Sequence, residues 1–149
     1  MPKKEKSPAE VLRDLLRESS KKNSGKGGHN HEESALQRQC VAWFRIQYPK
    51  YALNLFAVGN GGVRRAKEAA IMKGEGVTAG VSDLILLLPS GDGKYHGLCI
   101  EMKTTDKNSG QTDKQIEWQQ AVERAGYKYV VCRTFEEFQK TINDYLKRP

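Results

Sequence analysis

Apolar residues recur along this chain at two spacings, one helical and one strand-like. Val11, Leu12, Leu15 and Leu16 form a narrow stripe at helical spacing, with Ser7 placed as an N-cap and Pro8 at the first helical position. Pro8 to Glu18 therefore reads as a short amphipathic helix, and Ser19 to His31, polar and glycine-rich, as a mobile linker. From Glu33 to Tyr48, Leu36, Cys40, Val41, Phe44 and Ile46 supply an apolar side until Pro49 stops the pattern, which predicts a second helix. Ser34 and Gln37 fit a capping box at its start. Leu53 to Val58 is a strand candidate, and a helix follows from Val63 to about Lys73.

After Gly74, Gly76 and Gly80 the period shortens. Val81 to Leu88 is an apolar run with one acid, Asp83, near its start. Pro89-Ser90-Gly91-Asp92-Gly93 is turn chemistry. Leu98 to Lys103 then alternates: Leu98, Ile100 and Met102 share one face, Cys99, Glu101 and Lys103 the other. Thr112 to Arg124 is a helix, opened by a Thr112/Gln115 capping box, stopped by Gly126, and expected to place Trp118 in the core. Tyr129 to Arg133 is the last strand, and Thr134, with Glu137 three residues on, caps a closing helix that runs to about Lys147. From Glu33 the order is helix, strand, helix, hairpin, helix, strand, helix, an α/β pattern without internal repeats.

Composition narrows the setting. A chain of 149 residues suits one domain with a sizeable core. Its net charge of +7 and pI near 9.3 favour a polyanionic partner, most simply nucleic acid. Cys40, Cys99 and Cys132 are far apart and form no CxxC, as expected of reduced, semi-buried thiols inside a cell. No apolar run is long enough for a membrane span and no signal-peptide core opens the chain, so a cytoplasmic location is expected.

Chemistry concentrates on the hairpin. If its strands pair as neighbours, Asp83 lies beside Glu101 and Lys103, and two carboxylates and an ammonium converge. Such a group can hold a divalent metal on oxygen ligands and set a cation beside a water. A Glu-x-Lys pair on a strand is ordinarily a solvated face, but an acid opening a buried apolar strand is costly unless paired or metal-bound. A second constellation is Gly59-Asn60-Gly61-Gly62, where side chains nearly vanish and a phosphate can approach the backbone. Arg64, Arg65 and Lys67 beyond it suit phosphate contacts at a helix start, although a plain turn with a solvated basic face explains them equally. The P-loop ending is absent. Capping accounts for Gln37 and Gln115 but not for Glu33, and the histidines of His29-Asn30-His31 belong to the linker.

Five short motifs occur in order: Glu33-x-x-x-Gln37, Asn60-Gly61-Gly62, Gly76-Val77-x-x-Gly80-Val81-Ser82-Asp83-Leu84, Ile100-Glu101-Met102-Lys103 and Gln115-x-x-Trp118. Together they resemble the VRR-NUC domain of the PD-(D/E)xK nuclease superfamily in its small, standalone, phage-type form. The resemblance covers residues 32 to about 147, so 32–149 is read as the nuclease domain and 1–31 as a basic arm, helix and linker outside it. Ser82 stands where the superfamily name implies proline.

The resemblance implies a restriction-endonuclease-like core, a mixed central sheet flanked by helices. It implies Asp83 and Glu101 as metal ligands, the Met102 carbonyl as a further ligand, Glu33 completing the acidic cluster, Lys103 on the attacking water and Gln115 in support. Mg²⁺ is the implied ion, with Mn²⁺ able to replace it. On a DNA substrate, Asn60, Arg64, Arg65 and Lys67 of the glycine-rich and basic stretch are the expected contacts. The implied activity is metal-dependent hydrolysis of DNA phosphodiester bonds by a homodimer that resolves four-way (Holliday) junctions, in the cytoplasm of a bacterium or a phage-infected host. Competing readings are a non-catalytic nucleic-acid-binding module, a monomeric nicking or flap nuclease, and a small-molecule phosphate enzyme using Gly59 to Gly62.

Overall fold

The computed structural model describes residues 6, 7, 10, 12–14, 17, 29–59, 66–105 and 110–149. Its elements are helix α1 (His29–Gln47), a 3-10 helix (Pro49–Asn54), strand β1 (Leu55–Ala57), α2 (Ala66–Gly74), β2 (Leu84–Leu86), β3 (Leu98–Met102), α3 (Asp113–Arg124), β4 (Lys128–Cys132) and α4 (Phe135–Leu146). The sheet order is β1-β2-β3-β4. β1 and β3 each pair antiparallel with β2, whereas β4 runs parallel to β3 across the α3 connection. This is the expected mixed sheet flanked by helices.

β3 is buried along its whole length because both of its faces are covered. Its Leu98, Ile100 and Met102 face, with Leu84, Leu86 and Cys132, meets Cys40 and Phe44 of α1 and Phe138, Ile142 and Tyr145 of α4. Trp43 fixes the angle between those two helices by packing edge-on against Phe135 and Phe138 at 6.2 and 6.1 Å. The opposite face, with Cys99 and Glu101, lies under α3, where Trp118 meets Tyr129 edge-on at 6.1 Å. Trp118 is thus half-buried at the margin of the α3 layer, not in the main core as expected. The three cysteines are free and fully buried.

Local chemistry explains the ends of the elements. Thr112 and Gln115 form the predicted capping box, and Thr134 Oγ1 accepts from the Glu137 N–H at 3.1 Å. In the N-terminal segment, Ser7 Oγ accepts from the Glu10 N–H and the Glu10 carboxylate accepts from the Ser7 N–H, so Ser7 caps as predicted. Residues 10, 12–14 and 17 are helical; Val11, Leu15 and Leu16 lie outside the described residues.

Several expected boundaries moved. α1 starts at His29 rather than Glu33, so the last residues assigned to the linker are helical and Ser34 lies inside the helix, where it cannot be an N-cap. The 3-10 helix takes residues 49–54 and leaves β1 only three residues of the Leu53 to Val58 candidate. β2 keeps three of the residues from Val81 to Leu88, and β4 begins one residue before Tyr129. α2 begins at Ala66; residues 63–65 lie outside the described residues.

Gly80 sets how closely α3 approaches the hairpin. Its φ is +86°, and a Cβ there would strike the backbone at the Lys114 carbonyl and the Gln115 nitrogen. Gly76 has φ +103° but open space around it. Gly76→Ala should therefore cost only the left-handed conformation, roughly 1–2 kcal/mol. Gly80→Ala should cost roughly 1–3 kcal/mol more, for displacing the first turn of α3. Urea unfolding of both variants checks this; equal losses would mean that α3 does not depend on the close approach.

Candidate active site

The site forms where β2 and β3 part. The register that pairs Leu84 with Ile100 sets Asp83 opposite Glu101, on the face under α3. β2 ends at this point, and its backbone no longer reaches the Met102 N–H. The Asp83 carboxylate takes over, with Oδ2 accepting from Met102 N at 2.7 Å. The Asp83 carbonyl in turn accepts from the Val58 N–H at 3.0 Å, which ties the acid to both neighbouring strands. Asp83 thus stands just before the strand expected to contain it, and its side chain does the work of a missing ladder bond.

Glu101 is 3% exposed. Its Oε1 accepts from Gln115 Nε2 at 2.9 Å and lies 3.9 Å from Lys103 Nζ, whereas its Oε2 is buried without a hydrogen-bond partner. Burial, then the charge and hydrogen bonding of Asp83, push its carboxyl up to about 8. Lys103 pulls the other way and Glu33 adds a smaller upward push, which brings the first turns of α1 into the site's field. Beyond Lys103 the chain is held by Arg133 Nη1, which donates to the Thr104 carbonyl at 2.6 Å.

Gln115 serves two structures at once. Its Oε1 accepts from the Thr112 N–H at 2.9 Å, completing the helix cap, and this turns its Nε2 toward Glu101. Capping explains its oxygen, and the contact with Glu101 gives its amide a second task. Asp83, Glu101, Lys103 and Gln115 are therefore brought together, with Glu33 within electrostatic range. Lys67 is exposed on α2, and Asn60, Arg64 and Arg65 lie outside the described residues. Tyr129 is an addition the sequence reading did not make. Its hydroxyl is buried without a hydrogen-bond partner on the Glu101 face. Burial pushes the phenol up to about 12 against the nearby Gln111 amide, with Glu101 and Asp83 adding to the rise. Strand parity alone could not have found it, because its face follows from the parallel register of β4.

Among the described residues, no three His, Cys, Asp or Glu side chains are close enough to form a metal cluster. The donors that do converge are hard oxygens, and the partnerless Glu101 Oε2 is the kind of atom a cation satisfies.

Residues 30–136 match the family model of the VRR-NUC domain. The chain belongs to the VRR-NUC family. That is a nuclease family, and the four strands and the acidic site stand within the matched span. A solved structure described as a VRR_NUC domain protein is 30% identical, with a TM-score of 0.65, over 78% of this chain and 90% of its own. No curated protein matches the chain significantly. Among the described residues, no helix is long and apolar enough to cross a membrane.

Raising a buried carboxyl's pKa couples folding to pH. Glu101 is easily protonated in the folded state, so its contribution to stability is fully present below its ordinary value near 4.5 and is lost as pH rises through about 8. Glu101→Gln should therefore stabilise the metal-free protein above pH 8, by on the order of a few kcal/mol, and have no such effect near pH 4. Denaturant midpoints across this range test it; a pH-independent difference would remove the buried charge as the cause.

Proposed function

We propose that this VRR-NUC protein is a divalent-metal-dependent endonuclease that hydrolyses DNA phosphodiester bonds and selects branched DNA such as four-way junctions. The observation that carries this reading is the buried Glu101 carboxylate, one oxygen without a partner, opposite Asp83 and beside Lys103. Asp83, Glu101 and the Met102 carbonyl would hold Mg²⁺ or Mn²⁺, with Glu33 adding negative charge. When bound, such an ion supplies Lewis-acid charge to the scissile phosphate and acidifies water.

The chain's own residues do the remaining work. Gln115 holds one Glu101 oxygen and leaves the other for the cation. The Asp83–Met102 bond keeps the second acid in register with the first. The Lys103 ammonium cannot ligate a cation while protonated, so its part is to orient the attacking water or to meet charge on the phosphate. The excess of 25 basic over 18 acidic residues supports a polyanionic substrate, and Asn60, Arg64, Arg65 and Lys67 remain the proposed DNA contacts.

Paired cuts across a junction need two sites, and among the described residues there is one such acidic pair. A two-fold homodimer supplies the second. Strand β1, at the end of the sheet, supports such pairing: Phe56 is 39% exposed, and Leu53 and Leu87 beside it are 95% and 55% exposed.

Cleavage of a four-way junction should require Mg²⁺ or Mn²⁺ and stop in EDTA. Asp83→Asn should slow it on the order of a thousandfold while the fold is retained. Lys103→Ala should cost about a hundredfold in single-turnover rate and leave calorimetric metal affinity nearly unchanged. Metal-independent cutting by Asp83→Asn would overturn the site, and wild-type rates in Lys103→Ala would take the lysine out of the reaction. Sedimentation of the full chain should report a dimer; a monomer that releases only nicked cruciform plasmid would replace the resolvase reading with a nicking one.

A further inference from the structure

Helix α2 carries no buried residue and stands apart from α3 across an open cleft of about 1150 Å³. The cleft is floored by the segment from Val77 to Val81, the segment that leads into Asp83. Its α3 wall repeats at helical spacing, with Lys114, Trp118, Ala121 and Arg124 on one side. Met72 and Lys73 stand on the α2 side. Gln115, which contacts Glu101, also lines it, so the cleft and the acidic pair share the first turn of α3.

We propose that this cleft holds an unpaired DNA strand next to the scissile phosphate, with Trp118 as its stacking surface and Lys73 and Arg124 as backbone contacts. The proposal rests on the nuclease reading and gives its selectivity for branched DNA a place in the fold. Three arguments select this occupant. The lining carries three cations, Lys73, Lys114 and Arg124, against one acid, Glu117, which pairs with Lys114 at 3.3 Å. A second copy of this basic chain would bring like charges together there, whereas a polyanion is complementary. The cleft also exceeds the roughly 300–1,000 Å³ that holds a single small ligand, and it is open to solvent. An aromatic wall, finally, is of use to a base only when its face is free: duplex bases are already stacked on their neighbours, and an aromatic side chain gains most from unpaired ones. Small residues, Ala69, Ala79 and Ala121, leave room beside the indole.

The test compares binding of a labelled single-stranded oligothymidylate with binding of a matched duplex, by anisotropy, using the full chain in EDTA so that cleavage plays no part. Ala121→Trp fills the cleft from an exposed position and leaves the sheet untouched. It should weaken single-strand affinity about tenfold and change duplex affinity less than about twofold. Trp118→Ala should do the same where near-ultraviolet circular dichroism shows that it folds; Ala121→Trp decides the matter if it does not. Wild-type single-strand affinity in Ala121→Trp, or equal losses for both DNAs, would overturn the proposal, as would a change in sedimenting mass caused by the filled cleft. A wild-type chain that binds neither DNA would instead count against the nuclease reading itself.

Discussion

A carboxylate buried opposite another carboxylate is the constraint around which this fold is arranged. Each acid raises the other's cost, and the lysine nearby, at 3.9 Å, is too far for a close ion pair. Left alone, such a pair would swing toward solvent. Asp83 is held in place by the Met102 N–H, and Glu101 because its strand is an interior, fully buried one and an amide grips one of its oxygens. The unfavourable charge is offset on the far side of the same strand, where Ile100 and Met102 are sealed against α1 and α4.

Alternation along β3 thus separates two tasks. One face contributes to a dry aromatic and aliphatic core; the other presents chemistry under α3. The helix over the chemical face packs more loosely, with no buried residue of its own, while α4 on the apolar face buries Phe138, Ile142 and Tyr145. The apolar core and the acidic pair therefore lie on opposite sides of a single layer.

Much of this was legible in the residues. The juxtaposition of Asp83 with Glu101 followed from strand parity once the two strands were taken as antiparallel neighbours, because a one-residue slip would turn the apolar face outward. The Thr112 and Thr134 caps were equally direct, since each satisfies orphan N–H groups by a local pattern. Family membership, read from five spaced motifs, agrees with the match over residues 30–136. What escaped detection depended on distant partners. The early start of α1 was hidden because Gly27, Gly28 and Asn30 have linker-like composition. Most of Val81 to Leu88 leaves the ladder where the Asp83 side chain, in place of backbone, takes the Met102 N–H. Tyr129 became visible only with the β4 register, and the cleft beside Trp118 only with α2 placed in space.

Gln115 carries a further consequence. At the third position of a capped helix, glutamate and glutamine serve the cap equally well, because each offers an oxygen to the N–H of the capping residue. At this position they are not equivalent. The second end of the side chain meets Glu101, and glutamate would present a third carboxylate where the amide now donates a proton. Helix chemistry alone permits exchange between the two residues, and the acidic pair removes that freedom. Exchange at position 115 thus depends on a residue fourteen positions away on another element, and a design rule that optimises the cap in isolation would overlook the charge a glutamate sets beside Glu101.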